Sequence, residues 1–61
     1  MRLFQLVKNG LVLAEGVIFD NDKTVVRWLG GTQSIVVWDK MEDFHIVSVF
    51  HDTERHIIYL N

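Results

Sequence analysis

The sequence predicts a mainly β protein with one short helix, arranged as a small, strongly bent antiparallel sheet or an SH3-like barrel. Three observations support this fold class. The chain has only 61 residues and no proline, so residues 1–61 form a single small domain. Five short runs rich in apolar and β-branched residues are separated by polar turn signals. A single segment spaces its apolar residues as a helix does, which gives the element order ββββαβ.

The first two strands are predicted at residues 3–8 and 11–19, with Asn9-Gly10 between them. Asn-Gly between apolar runs favours a type I′ hairpin turn, because both turn residues need a positive φ. Glu15-Gly16, in the middle of the second strand, indicates a bulge or a sharp bend that would curve the sheet. The polar segment 20–23 is a second turn, whose side chains can bond to their own backbone.

The third and fourth strands are predicted at residues 24–29 and 34–38, joined by the loop 30–33. A loop with an even number of residues places Trp28 opposite Ile35, and side chains then alternate between the two faces. A loop with an odd number of residues would shift the pairing and change which side chains share a face. One predicted face is entirely apolar and forms the core: Val26, Trp28, Ile35 and Val37. The other is mixed: Val25, Arg27, Leu29, Ser34, Val36 and Trp38.

The segment after the fourth strand predicts a helix of about ten residues. Asp39 and Glu42 match a capping box, in which an acceptor at the N-cap is followed three residues later by Glu. The buried stripe would contain Met41, Phe44 and either Val47 or Ser48. The helix is the favoured interpretation, although the β-branched run 45–50 also permits a helical turn followed by a strand.

The end of the chain is predicted as a loop at 51–54 and a last strand at 55–60. Alternation along that strand places His56, Ile58 and Leu60 on one face and Arg55, Ile57 and Tyr59 on the other. His56 is therefore expected to be a partly buried core histidine. The neighbouring pair His51-Asp52 is interpreted as a turn.

The composition indicates a homo-oligomer. Apolar residues make up 49% of the chain and the mean hydropathy is +0.18. A chain this short has more apolar side chains than one small core can bury, so association between copies is expected. There is no cysteine, which excludes disulfides and thiolate zinc sites. The three histidines have no metal-ligand spacing, and neither a metal nor a cofactor is predicted.

Charge and hydropathy restrict the partners and the location. The net charge is −2 and the six basic residues are scattered singly along the chain, which argues against a general nucleic-acid binder. No apolar run approaches the ~20 residues that span a bilayer, and no signal peptide is recognisable. A soluble cytoplasmic protein without a membrane partner is the expectation.

Catalysis is not expected. Ser34 and Ser48 lack the setting of an activated nucleophile. The acids Asp39, Glu42 and Asp43 are explained by the capping box and by solvent. One small domain also rarely builds the walls of a deep catalytic pocket. No catalytic residue is therefore assigned, and the protein is not predicted to be an enzyme.

The candidate binding residues lie on the mixed face. Arg27 and Trp38 are predicted to form a recognition pair for an anionic or aromatic partner, because arginine is a bidentate donor and tryptophan dominates binding hot spots. Thr32, Gln33 and Ser34 would form the rim of this site. The more ordinary interpretation is that the helix or a second copy covers this face. The Gly30-Gly31 loop is interpreted as a turn, since it joins two strands and lacks the lysine of a phosphate loop.

Several segments carry a family resemblance that covers roughly residues 12 to 60. They are Gly16–Phe19, Val26-Arg27-Trp28, Ser34–Trp38, Met41-Glu42-Asp43 and Ile57–Leu60. This order resembles small uncharacterised proteins of phages and prophages, with an Arg-Trp strand, a Ser-apolar-Trp strand and a Glu-Asp helix start. Those proteins tend to have glycines and paired histidines before the last strand, whereas this chain has Phe50-His51-Asp52-Thr53. The resemblance implies a phage setting and no particular activity.

Three functional hypotheses result. The leading one is a non-enzymatic binding protein, a phage-encoded inhibitor or sequestering protein acting in the host cytoplasm on a host factor or a signalling nucleotide. It would work as a homo-oligomer. The second is a small nucleic-acid-binding regulator that stacks bases on Trp38 or Tyr59. The third is a structural or assembly component whose apolar face serves only to polymerise.

Overall fold

The computed structural model describes residues 1–31, 33–50 and 52–61. Five antiparallel strands form one sheet in the spatial order β4-β3-β2-β1-β5, so β4 and β5 are edges and the sheet is open. The predicted mainly β class and the order ββββαβ are confirmed, and the open sheet is formed rather than the barrel. The elements are β1 Arg2–Lys8, β2 Leu11–Ile18, β3 Thr24–Trp28, β4 Ser34–Trp38, the helix α1 Met41–His45, a π-helical segment Ile46–Phe50, and β5 Arg55–Tyr59.

The β1–β2 hairpin has the predicted turn but a different bulge. Asn9 and Gly10 both have positive φ, at 51° and 78°, as a type I′ turn requires. Leu6 of β1 pairs with Ala14, but the next residue of β1, Val7, pairs with Val12. Leu13 therefore has no partner on β1 and is the extra residue of a bulge. The bulge predicted at Glu15-Gly16 is therefore wrong in position, because both residues pair regularly with β1.

The turn between β2 and β3 forms as predicted. The Phe19 N–H donates to the Lys23 carbonyl at 2.9 Å, and the Asp22 N–H donates to the Phe19 carbonyl at 2.9 Å. The Asn21 side chain accepts a hydrogen bond from the Lys23 N–H at 3.2 Å, so a turn side chain does bond to nearby backbone.

The pairing of β3 with β4 differs by one residue from the prediction. Arg27 lies opposite Ile35 and Trp28 opposite Ser34, because the connection contains the five residues 29–33 rather than four. The Leu29 N–H donates to the carbonyl of Leu13 on β2 at 3.0 Å, which continues the β2–β3 pairing one residue beyond the end of β3. A shift of one residue moves every β4 side chain to the opposite face relative to β3. The predicted faces are therefore wrong for β4, whereas Val26 and Trp28 of β3 lie on the core face as predicted.

The helical region begins one residue later than predicted. Lys40 occupies the N-cap position of α1, and in the described part of the chain no side chain caps the helix by a hydrogen bond. The capping box of Asp39 and Glu42 is therefore wrong. Residues 41–50 are helical throughout, which confirms the predicted length, and the second half is a π-helix. Ser48 is buried whereas Val47 is 57% exposed, which decides between the two predicted stripe positions.

The core lies between the helical region and one face of the sheet, called here the inner face. Phe44 of α1 is fully buried. Its ring centroid lies 5.6 Å from that of Phe4, 6.2 Å from Trp28 and 6.0 Å from Trp38. Such tilted aromatic contacts add to the free energy of burying the rings. His56 is exposed and alternates with Ile57, which packs against the core, so the predicted core histidine is wrong.

Candidate functional site

The face of the sheet opposite α1, called here the outer face, carries an uninterrupted apolar row across four strands. The strand registers align Leu3 of β1, Val17 of β2, Val25 of β3 and Val37 of β4 side by side. Leu3 is 45% and Val37 is 59% exposed, while the two central valines are half-buried. The helix does not cover this row, because it packs on the inner face.

A second row beside the first is mixed in polarity. It runs Ile58, Gln5, Glu15, Arg27, Ile35 across all five strands. The Arg27 guanidinium donates from Nη1 to Glu15 Oε1 at 3.3 Å and from Nη2 to Gln33 Oε1 at 3.4 Å. About half of each side chain of the Arg27–Glu15 pair is exposed, at 51% and 47%. Glu15 and Gln33 therefore orient the guanidinium while leaving it accessible to a ligand.

A shallow depression of about 290 Å³ lies between the two rows. Its floor and walls are mostly aliphatic, with the Arg27–Glu15 pair on one side. Arg27 also borders a second depression of about 390 Å³, together with Gln33, Ser34 and Ile35. Arginine presents five N–H donors in a planar fork that matches carboxylate and phosphate groups. An apolar floor beside such a fork suits a ligand that combines a flat or aliphatic part with an anionic group.

The structure brings some of the predicted site residues together and separates others. Arg27, Gln33 and Ser34 border the same depression. Trp38 lies on the inner face against Phe44, so it is separated from Arg27 by the sheet and the predicted Arg27–Trp38 pair is wrong. The cause is the one-residue change of register in the β3–β4 hairpin. Thr32, the remaining predicted rim residue, lies outside the described residues.

Glu15 is the principal residue of this surface that the sequence analysis missed. It lies opposite Arg27 because β2 pairs with β3 in the register Glu15↔Arg27. Opposite charges at facing positions of neighbouring strands stabilise a sheet modestly. The signal in the sequence is a single carboxylate in a run of apolar residues on β2.

A second charged cluster, centred on Asp52, anchors the segment before β5. Asp52 accepts a hydrogen bond from Lys8 Nζ at 2.9 Å, and its carboxylate lies 3.4 Å from Arg55 Nε. The Glu54 N–H also donates to Asp52 Oδ1 at 3.1 Å. The hydrogen bond from Lys8, together with that from the Glu54 backbone, lowers the pKa of Asp52, and the same contact raises the pKa of Lys8. The cluster holds the segment in place.

Neither a metal site nor a membrane-spanning helix is found in the described residues. Within residues 1–31, 33–50 and 52–61, no three histidine or acidic side chains converge closely enough to hold a metal ion. In those same ranges, no helix has the length and apolar character needed to cross a bilayer. His51, predicted to form a turn with Asp52, lies outside the described residues.

Comparison with known proteins identifies the family. The family model described as Acb5 phage protein matches residues 1–61. This chain belongs to the Acb5 phage protein family. The match confirms the phage setting that the resemblance implied. Comparisons with curated proteins and with solved structures gave no significant match. In this Acb5 family protein, Arg27 lies on the outer face of the sheet, which the helix leaves uncovered.

Proposed function

We propose that this Acb5 family protein is a non-enzymatic binding protein with which a phage inhibits a host factor or sequesters a host signalling nucleotide. It would act in the host cytoplasm as a homo-oligomer. One observation carries the proposal: Arg27 is half-exposed in the middle of an apolar sheet face that the helix leaves uncovered. Membership of a phage protein family is consistent with an inhibitor role.

The chemistry of the outer face favours an anionic ligand with an apolar or aromatic part. The guanidinium of Arg27 can donate to a phosphate or a carboxylate in bidentate geometry. The aliphatic row beside it offers a flat surface on which a base or an apolar side chain can pack. Glu15 holds the guanidinium in place and would disfavour a second negative charge nearby, which gives the site some selectivity.

The geometry favours binding rather than catalysis. Among the described residues that line the depression beside Arg27, Glu15 and Arg27 are the two with a titratable side chain. The carboxylate nearest to Arg27, that of Glu15, is itself half-exposed and engaged with the guanidinium. A site of this kind can retain a ligand and withhold it from a host protein, which is sufficient for inhibition by sequestration.

The nucleic-acid hypothesis is less well supported by the two residues that suggested it. Trp38 packs against Phe44 on the inner face, and the guanidinium of Arg2 lies 3.8 Å from the centroid of the Tyr59 ring. Trp38 is therefore covered within the chain, whereas the Tyr59 ring remains 43% exposed with Arg2 over one face, so Tyr59 is the one of the two that could stack on a base. Salt-dependent binding to single-stranded DNA or RNA would restore this hypothesis.

The test is calorimetric titration of the protein with purine and pyrimidine mono-, di- and cyclic nucleotides, together with capture of host proteins on immobilised protein. Calorimetry is preferred to tryptophan fluorescence because Trp28 and Trp38 both lie on the inner face. Arg27→Ala should weaken binding by roughly 10-fold to 100-fold, the usual effect of removing a charge-assisted hydrogen bond. Lys23→Ala removes an exposed cation from a turn and should leave the affinity within about twofold.

Two outcomes would contradict the proposal. One is that the wild-type protein binds no nucleotide and captures no host protein at high protein concentration. The other is that Arg27→Ala and Lys23→Ala reduce binding equally, which would indicate general charge attraction rather than a site at Arg27.

A further inference from the structure

The outer face has the composition of a buried surface although the chain itself does not bury it. The helical region packs on the inner face, where Phe44 contacts the aromatic side chains of the sheet. On the outer face the two β4 side chains, Ile35 and Val37, are 68% and 59% exposed. An antiparallel sheet with one solvated face normally alternates apolar and polar residues, whereas here one whole row of the outer face is apolar and the charged pair lies in the neighbouring row. A second layer of protein on the outer face would bury these side chains.

The charges of the outer face are self-complementary. Glu15 of β2 and Arg27 of β3 lie side by side on interior strands, with 3.3 Å between Oε1 and Nη1. A two-fold axis through this region brings Glu15 of one copy towards Arg27 of the other and repeats the contact in reverse. Each buried charge would then have opposite charges on two sides, which meets the condition under which ionic groups are tolerated in an interface.

The area of the outer face is also sufficient for a dimer interface. The molecule measures 30 × 23 × 21 Å and has a surface of 4163 Å². One side of a body with these dimensions has roughly a sixth of its total surface. This area is similar to about 600 Å² per partner, which is the lower limit for stable protein–protein interfaces. The outer face therefore offers enough area for a small dimer and too little for a large obligate one.

We propose that the outer face packs against the same face of a second copy, about a two-fold axis near Glu15 and Arg27. This inference rests on the proposed homo-oligomer and names its interface. It also completes the ligand site. Each copy carries one open depression beside Arg27, and the facing copy supplies the missing wall.

The first experiment compares two valine substitutions by sedimentation equilibrium. The wild-type protein should have twice the monomer mass of 7.1 kDa at tens of micromolar. Val37→Lys places a charge on the outer face and should weaken association at least 10-fold. Val47→Lys is the matched control, because Val47 is equally exposed, at 57%, but lies on the helical region that covers the inner face. Val47→Lys should change the dissociation constant by less than about twofold.

The second experiment exchanges charges on the interior strands. Glu15→Arg and Arg27→Glu should each be monomeric alone, because each homodimer would bring like charges together. An equimolar mixture should form a heterodimer, because one copy then presents two positive and the other two negative side chains. Edge-to-edge pairing through β4 would leave these substitutions without effect, since β2 and β3 are interior strands.

The outcomes separate this inference from the proposed function. A wild-type dimer that Val37→Lys leaves intact would overturn the interface while leaving the homo-oligomer in place. A wild-type protein that is monomeric at hundreds of micromolar would overturn both the interface and the homo-oligomer. Ligand affinity is measured on the same samples. If a monomeric wild-type protein binds the ligand, the proposed binding function stands, although the homo-oligomer and its interface do not.

Discussion

The ring of Phe4 occupies the space that a side chain on Gly16 would need. The two residues face each other across β1 and β2 on the inner face of the sheet. A methyl group on Gly16 would overlap the Phe4 ring and would lie 2.9 Å from the carbonyl oxygen of Val25. Phe4 is fully buried in contact with Phe44, so its ring has little room to move aside. Glycine at position 16 thus allows the largest core side chain of β1 to pack flat on β2.

Gly16→Ala should destabilise the fold by about 1–3 kcal/mol, the usual cost of an added methyl group in a close-packed core. Urea denaturation followed by circular dichroism measures the change in unfolding free energy. The control is Gly30→Ala. In the part of the chain that the structure describes, a methyl group there would meet no atom within 4 Å beyond its chain neighbours. A change of less than about 0.5 kcal/mol is expected for the control. Equal effects of the two substitutions would contradict the packing argument.

Trp38 should matter for stability and not for ligand binding. Its ring packs on Phe44, and its indole Nε1 is buried with no hydrogen-bond partner among the described residues. Trp38→Phe keeps an aromatic ring and removes that unpaired N–H, so it should change the unfolding free energy by less than about 1.5 kcal/mol. Trp38→Ala should cost about 2–4 kcal/mol because it leaves a cavity beside Phe44.

The same variants locate the binding site. Because Arg27 lies on the opposite face of the sheet, Trp38→Phe should leave ligand affinity unchanged. A loss of binding in Trp38→Phe without a loss of stability would return Trp38 to the candidate site.

The elements could be predicted from the sequence because each is determined by local residues. Asn9-Gly10 specifies its turn through two positive φ angles, and the polar run 20–23 specifies the next. β4 was predicted with the bounds Ser34–Trp38 that the structure shows. These signals concern neighbours in the chain, so they do not depend on how distant strands align.

The face of each β4 side chain could not be predicted in this way. It depends on whether Leu29 belongs to the ladder or to the loop. In the structure Leu29 belongs to the loop, and its N–H bonds to the carbonyl of Leu13, a residue of the β2 bulge. That bulge is a tertiary feature with no glycine to mark it, so the sequence indicated Gly16 instead. One misplaced residue was enough to join Arg27 with Trp38 and to hide Glu15.

Asp52→Asn should remove part of the pH dependence of stability. A carboxyl group whose pKa is lowered by folding stabilises the native state above its unfolded pKa of about 3.9. That contribution disappears as the pH falls through the lower folded pKa. Asp52 is such a group, because Lys8 donates to it. The variant should therefore be less stable than the wild type at pH 7, and the difference should shrink as the pH falls below about 4.

Thermal unfolding of both proteins across this pH range checks the Asp52 prediction. Asn at position 52 can still accept the hydrogen bond from the Glu54 N–H, so the comparison isolates the charge. Asp22→Asn, at an exposed position in the turn between β2 and β3, is the control for removing one negative charge. If both variants show the same pH dependence relative to the wild type, the contact between Asp52 and Lys8 is not its source.

Lys40→Asp should stabilise the protein by supplying the helix cap that the sequence lacks at that position. Lys40 is the N-cap of α1 and has the extended backbone, φ −142° and ψ 148°, that N-cap residues adopt. An aspartate there can accept hydrogen bonds from the first backbone N–H groups of the helix and places a negative charge at its positive end. The expected gain in unfolding free energy is about 0.5–2 kcal/mol, measured by urea denaturation.

Asp39→Ala is the companion variant. The Asp39 carboxylate is mostly exposed and lies 3.8 Å from Lys23 Nζ, which is a surface ion pair of small value. A loss of less than about 0.5 kcal/mol is expected, since Asp39 does not cap the helix. A loss of 1 kcal/mol or more would show that Asp39 caps the helix in solution, as the pattern of Asp39 and Glu42 indicates. Lys40→Asp would then bring no gain, because the N-cap would already be occupied.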